Sequence, residues 1–310
     1  MITKIATSTH EEWLELRHKY IGGSDAAAVV GMNSFVSPYA LWAEKTGRLP
    51  GFEGNLATEV GTYLEEFVAQ KFASETSKKV RKCNLSWFND EYPWAIANID
   101  REIVGEDAGL EIKTTSEMNL KKFKGGEYPA NYYVQIVHYL AVTGKQRWYL
   151  AVLIGNREFK WFTIERDEDE IKALMDAEKA FWKQVETDTP PDADGSSSTA
   201  DTLYSLYPNS IDDAIGIGNF ERELENYFRL KAQVKDLTNT IDGIENRIKA
   251  HLGECERGEG EKYKVLWKTQ TRSTFDSKKF IADHPEMDLT KYFKTSNTRP
   301  LRVTEKKGNE

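Results

Sequence analysis

The stretch from Ala95 to Thr115, AIANIDREIVGEDAGLEIKTT, constrains this chain more than any other. Ala95 to Val104 alternates apolar and polar residues, Gly105 to Gly109 supplies turn residues, and Leu110 to Thr115 alternates again. The pattern predicts two strands joined by a tight turn. Because successive strand side chains point to opposite faces, Glu111 and Lys113 share one face while Ile112 points the other way, toward a core. Asp100 closes the first run. An Asp, a Glu and a Lys on one concave face form a site for hard cations and phosphate. Carboxylate oxygens suit Mg²⁺ or Mn²⁺, and an ammonium can hold a water or a developing negative charge. Taken alone, the same residues also fit cross-strand ion pairing on a wet sheet face, which contributes little.

The flanking segments supply further candidates. Thr9 to Tyr20 predicts a helix with Thr9 and Glu12 as a capping box and Trp13, Leu16 and Tyr20 on one stripe. It stops at Gly22-Gly23, and a short helix starts at Ser24. Backbone N–H groups and a hydroxyl at a helix start make an anion site, to which Arg17 could add a fork of donors. Simple capping explains the same residues, and Asp25 would compete with a bound anion. Ser37-Pro38 opens a helix that Gly47 closes. A stronger helix runs from about Thr58 to Ser74, with Val60, Leu64, Phe67, Val68 and Phe72 as its apolar stripe. Glu65 lies on the border of that stripe and Glu66 points to water. Glu65 is therefore either a snorkelling surface residue or a ligand aimed into a cleft.

Lys79 to Phe88 predicts a strand. The aromatic-rich helix from Pro129 places Gln135, His138 and Tyr139 near one face. Trp148 to Ile154 and Phe159 to Glu165 predict two more strands, and Asp167 to Glu186 an amphipathic helix. Strands bracketed by helices indicate an α/β or α+β sandwich around one sheet. The Pro-, Asp- and Ser-rich run near residue 190 divides the chain into a domain over 1–187, a linker over 188–202 and a C-terminal appendage over 203–310. In the appendage, Phe220 to Leu252 predicts one long helix. Its apolar residues Tyr227, Leu230, Val234, Leu237, Ile241, Ile244 and Ile248 follow coiled-coil spacing. Such a seam packs on a neighbouring protomer, on a partner or back on this chain, the last being the default. A basic strand pair (Tyr263 to Phe275), a short helix (Ser277 to Asp283) and a last strand near Pro300 to Thr304 follow.

A net charge of −8 argues against nucleic acid only if charge is uniform. It is segregated: residues 262–302 carry ten basic side chains against four acidic ones. Two distant cysteines, Cys83 and Cys255, form no framework and fit a reducing compartment. The opening residues have no apolar core of a leader, and no apolar run approaches the length of a membrane span. A cytoplasmic protein without membrane association is expected.

Taken in order, Arg17 and Ser24 in RHKYIGGSDAAAVVG, Glu65 in GTYLEE, Asp100 in IANID, Glu111-x-Lys113 in GLEIK and Gln135 in VQIVHYLAVTG resemble the lambda-exonuclease-like branch of the PD-(D/E)XK nucleases, specifically the YqaJ-type phage recombinases. The match spans about residues 9 to 155, with Ile99 where the family shorthand has Pro. The resemblance implies a restriction-endonuclease-like core, a mixed central sheet flanked by helices, joined to the long C-terminal helix and a small basic α+β appendage. It also implies roles. Asp100, Glu111 and the carbonyl of Ile112 hold two Mg²⁺ or Mn²⁺ ions, with Glu65 completing the shell. Lys113 positions the attacking water and Gln135 orients Lys113 or that water. Arg17 and Ser24 grip the 5′-phosphate of a DNA end, and His138 and Tyr139 stand behind the site or in the core. The implied activity is 5′-to-3′ digestion of linear double-stranded DNA, leaving 3′ tails for a phage single-strand annealing protein. Enzymes of this kind are homo-oligomers, often toroidal trimers. A structure- or sequence-specific endonuclease, or a catalytically silent DNA-end or partner-binding module, are the alternatives.

Overall fold

The computed structural model describes residues 1–6, 10–52, 54–294 and 297–306. The capping residue Thr9 and the Trp13 side chain of the expected first helix lie outside the described residues. Two compact units divide the chain, Met1–Pro208 and Asn209–Glu310.

In the first unit, strand β1 (Ile2–Ala6) precedes helix α1 (His10–Lys19), the two-residue β2 (Ile21–Gly22) and helices α2 (Gly23–Val29), α3 (Pro38–Lys45) and α4 (Leu56–Thr76). Short-range polar bonds fix the helix starts. Ser37 Oγ accepts from Ala40 N at 3.1 Å with Pro38 opening α3, and Asn55 and Thr58 cap α4 reciprocally. Strands β3 (Val80–Lys82), β4 (Leu85–Asn89), β5 (Ala95–Asn98), β6 (Arg101–Ile103) and β7 (Ala108–Thr115) come next. They are followed by a 3₁₀ segment (Glu117–Gly126), helix α5 (Ala130–Thr143), strands β8 (Arg147–Ile154) and β9 (Glu158–Glu165), and helices α6 (Glu168–Glu186) and α7 (Ser197–Leu206).

There are two sheets in this unit rather than the one expected. One has the order β1-β4-β5-β2, the other β3-β6-β7-β8-β9. The run 79–88 and the run 95–104, each read as a single strand, both break and change sheet. In the second run the change falls at Ile99-Asp100: β5 pairs with β4, whereas β6 pairs with β7. In the larger sheet β7 and β8 are parallel, Glu111 standing beside Leu150, and the other pairs are antiparallel.

Side-chain alternation along β8 gives this sheet two buried faces. Trp148, Leu150, Val152 and Ile154 pack with α5, α6 and Ala26 and Ala27 of α2, while Tyr149 and Ala151 pack with Val68, Ala69 and Phe72 of α4. Val60 and Phe67 of the predicted α4 stripe are exposed instead. A third cluster joins Leu41 and Trp42 of α3, Phe181 of α6 and Leu203 and Leu206 of α7. The expected linker 188–202 therefore runs into a helix docked on the first unit, where Thr199 Oγ1 donates to Ser37 Oγ at 2.8 Å.

In the second unit, helix α8 (Glu221–Leu252) is followed by the hairpin β10 (Arg257–Glu259) and β11 (Lys264–Leu266) and by the short helix α9 (Ser277–Asp283). The hairpin is shorter and earlier than the strand pair expected over 263–275. Residues 300–304 are irregular rather than a strand. Among the described residues no helix is long and apolar enough to cross a membrane.

Candidate active site

The sheet change places Asp100 at the joint between β5 and β6, opposite the middle of β7. Its Oδ2 accepts from the backbone N–H of Ile112 at 2.8 Å. Glu111 and Lys113 project from β7 on the α5 side, with Lys113 Nζ 2.7 Å from Glu111 Oε1. Ile112, on the other face, packs in the α4 cluster, as the alternation requires. Parallel pairing of β7 with β8 demands a crossover, and α5 is that crossover. It brings Gln135 over the site, where the amide Nε2 donates to Glu111 Oε1 and to the Tyr139 hydroxyl, both at 2.8 Å.

Glu65 reaches the site from α4. That helix approaches β7 closely at Gly61, where a Cβ would stand 3.3 Å from Thr114 Oγ1. The buried guanidinium of Arg101 binds Glu65 through Nη1 and Glu66 Oε2 through Nη2 at 3.1 Å, and Nη1 also donates to the Asp100 carbonyl at 2.8 Å. Arg101 is a site residue the sequence reading missed; its only signal is its position directly after Asp100. Tyr132 was missed too. Its ring lies beneath Lys113 Nζ, 5.4 Å from the centroid.

The electrostatics follow from the crowding. Burial, and then the neighbouring Glu111, push the Asp100 carboxyl well above the usual range. Lys113 and the Ile112 N–H oppose that shift, and Glu65 adds to it. Burial would discharge Lys113, but Glu111 and Asp100 hold its ammonium above the ordinary lysine value. Burial and the same two carboxylates raise the Tyr139 hydroxyl well above its usual range. Glu111 Oε2 is buried and has no hydrogen-bond partner. Two carboxylates, one with an unpartnered buried oxygen, form a hard-oxygen donor set that fits a divalent cation of the Mg²⁺ type. Among the described residues no three Asp, Glu, His or Cys groups are gathered as a ready ligand shell, because Glu65 is turned to Arg101.

Tyr139 also connects this pocket to the candidate anion site. A Cβ on Gly23 would fall 2.4 Å from Tyr139 Cε1, so only glycine lets the start of α2 rest on that ring. Here Asp25 takes part of the role imagined for an anion. Its Oδ2 accepts from Gly22 N at 3.0 Å and from Lys45 Nζ at 2.7 Å, and its Oδ1 lies 3.6 Å from Arg17 Nη2. Burial raises the Asp25 carboxyl, yet Lys45 and Arg17 outweigh it and leave the group below its ordinary value. Two cations, Lys45 and Arg17, face the Asp25 carboxylate, and the exposed Ser24 precedes it in the chain.

His138 is not brought to the pocket. It is buried between Glu178 Oε1, 2.7 Å from Nδ1, and the Ile96 carbonyl, 3.0 Å from Nε2. Glu178 is a further buried acid that sequence reading missed, although it lies on the apolar stripe of α6 between Met175 and Phe181.

The family model of the YqaJ-like viral recombinase domain matches residues 12–146. The uncharacterized protein YqaJ of Bacillus subtilis (strain 168) is 37% identical over 293 residues, covering 93% of this chain and 92% of that protein. Among solved structures, the alkaline exonuclease LHK-Exo of Laribacter hongkongensis aligns with a TM-score of 0.50 at 24% identity. The alignment covers 58% of this chain and 94% of that one, and the complex of LHK-Exo with dAMP gives the same values. This last likeness is one of fold.

Proposed function

The chain belongs to the YqaJ-like viral recombinase family, and from that premise we propose that it is a metal-dependent 5′-to-3′ exonuclease acting on the ends of linear double-stranded DNA in the cytoplasm. The observation that carries the reading is the convergence of Asp100, Glu111 and Lys113 with an unpartnered buried Glu111 oxygen. Asp100, Glu111 and the Ile112 carbonyl would hold Mg²⁺ or Mn²⁺, two ions per site, with Glu65 joining them once released from Arg101. Bound there, the cations supply charge stabilisation for the entering and leaving oxygens of a phosphodiester.

The chain's own residues do the rest. The Lys113 ammonium, fixed against Glu111 and above Tyr132, orients the attacking water by hydrogen bonding. Gln135 uses both amide hydrogens to lock Glu111 and Tyr139, so the pocket is set before substrate arrives. Arg17 and Ser24 bind the terminal 5′-phosphate. Attack on the next phosphorus expels the O3′ of the first nucleotide and leaves a new 5′-phosphate on the shortened strand. Each cut thus recreates the group that Arg17 binds, and the other strand is left as a 3′ tail for an annealing protein.

The test is digestion of linear and closed circular duplex, labelled at either end, with Mg²⁺ or with EDTA. Release of mononucleotides from 5′ ends of linear DNA, dependent on Mg²⁺, is expected. Nicking of the circle would replace the reading with an endonuclease. Inertness on both substrates would replace it with a binding module.

A further inference from the structure

Two aromatic rings, each in contact with a glycine, link the start of α2 to β7. The Tyr139 ring of α5 is buried, and α2 rests on its hydroxyl-bearing edge: a Cβ on Gly23 would stand 2.4 Å from Cε1 and 2.8 Å from Cζ. The same ring packs against the fully buried Trp148 of β8, with centroids 5.3 Å apart and planes tilted by 35°. Trp148 in turn lies on Gly109 of β7, where a Cβ would fall 2.4 Å from Cζ2 and Cη2. Neither glycine has a positive φ, so close approach of a ring, not backbone conformation, requires it. The row Gly23, Tyr139, Trp148, Gly109 has no slack, and an interior packed in this way transmits a displacement instead of absorbing it.

The Tyr139 hydroxyl makes a second link to the same strand. It accepts from Gln135 Nε2, and that nitrogen also donates to Glu111 Oε1, two residues beyond Gly109 on β7. Both routes from Tyr139 therefore end on the strand that carries Glu111 and Lys113, while Ser24 directly follows the glycine on which the ring sits. We propose that Tyr139 is a positioning residue that sets the spacing between Ser24 at the DNA end and Glu111 at the scissile phosphate, and thereby the number of nucleotides removed per cut. The proposal rests on the exonuclease reading and adds to it the part that measures the step. The ring is the spacer. The hydroxyl acts on the carboxylate: without it one buried amide hydrogen of Gln135 loses its acceptor, and the amide is no longer held in one orientation against Glu111. The two parts of the side chain have separable effects, step length for the ring and rate for the hydroxyl.

The test uses the full-length protein on linear duplex with 5′-phosphorylated ends, the products being resolved by length. The wild type should release mononucleotides. Tyr139→Phe keeps the ring and should keep that step, with kcat about tenfold lower and KM unchanged. Tyr139→Leu removes the spacer and should release dinucleotides beside mononucleotides. Gly23→Ala displaces the ring and should lower kcat about a hundredfold. Adding Tyr139→Leu to it makes room for the methyl group and should recover about tenfold of that loss. Urea unfolding without metal checks the contact apart from activity: the two changes together should cost less stability than the sum of each alone. An inert wild type would overturn the nuclease reading and this proposal with it. With an active wild type, three results would each overturn this proposal and leave that reading standing: an undiminished kcat in Tyr139→Phe, mononucleotides alone from a folded Tyr139→Leu protein, or additive costs for the Gly23 and Tyr139 changes. If Tyr139→Leu does not fold, the kinetics of Tyr139→Phe decide.

Discussion

Asp100 Oδ2 accepts the backbone N–H of Ile112 at 2.8 Å, so the residue at which the chain leaves one sheet is tied to the central strand of the other. The same residue whose carbonyl is assigned to a cation therefore orients the acid assigned to that cation. The bond also offsets part of the cost of crowding Asp100 beside Glu111. The order of effects in this pocket runs from backbone position to acid orientation to charge.

Lys113→Ala should abolish Mg²⁺-dependent digestion, a loss of about 10²–10⁴ in rate, while end binding persists. Single-turnover digestion alongside a binding titration in Ca²⁺ checks both. Full activity would remove Lys113 from the mechanism.

Arg101 holds Glu65 and Glu66 from a fully buried position. Arg101→Ala leaves Glu65, itself largely shielded, without its cation, and should cost about 2 kcal/mol of stability. The freed Glu65 should also shift the Mg²⁺ concentration needed for half-maximal rate. Urea unfolding and a Mg²⁺ titration separate the two effects. No change in either would mean the bridge is ornamental.

Arg17→Ala should remove a preference of about tenfold or more for 5′-phosphorylated over 5′-hydroxyl ends. The fold should survive, because Lys45 at 2.7 Å still neutralises Asp25. Initial rates on the two ends compared side by side decide it. An undiminished preference places the phosphate elsewhere.

His138 gives a pH dependence of stability. Burial alone would lower its pKa, but Glu178 across the α5–α6 contact, the Ile96 carbonyl and the more distant Asp25 raise it. A group bound more tightly when protonated stabilises fully below its unfolded value, about 6.5. That contribution is lost as pH climbs through the higher folded value. The unfolding free energy of the wild type relative to His138→Gln should therefore shrink from pH 6 to pH 9. A constant difference would show that the pair folds neutral.

Much of the pocket was legible because strands carry a two-residue period. Glu111, Lys113 and Ile112 sort to opposite faces by that rule alone, and Gln135 follows once β7 and β8 need a helical crossover. The sheet change at Asp100 was hidden because alternation continues across it; only pairing with β4 or β7 distinguishes the halves. Arg101 was hidden for a related reason, since its face is decided by that joint. Glu178 was overlooked as one acid among many on a surface helix, yet its place on the apolar stripe of α6 signalled burial. The exposed Val60 and Phe67 of α4 show the converse: the face that meets the sheet, through Val68, Ala69 and Phe72, is rotated from the stripe the apolar spacing suggests.

The crossover has a further consequence, one for biosynthesis. A ribosome that has released the chain through Thr143 has delivered every acid, base and amide of the pocket, but not β8, the strand against which β7 must lie. Until residues 147–154 emerge and pair with β7, Glu111 stands on a strand bonded only on its β6 side, and α5, which carries Gln135, lacks the strand it leads into. The nascent chain thus holds every side chain of the pocket before it holds the parallel strand that aligns them, and assembly of the pocket waits on β8.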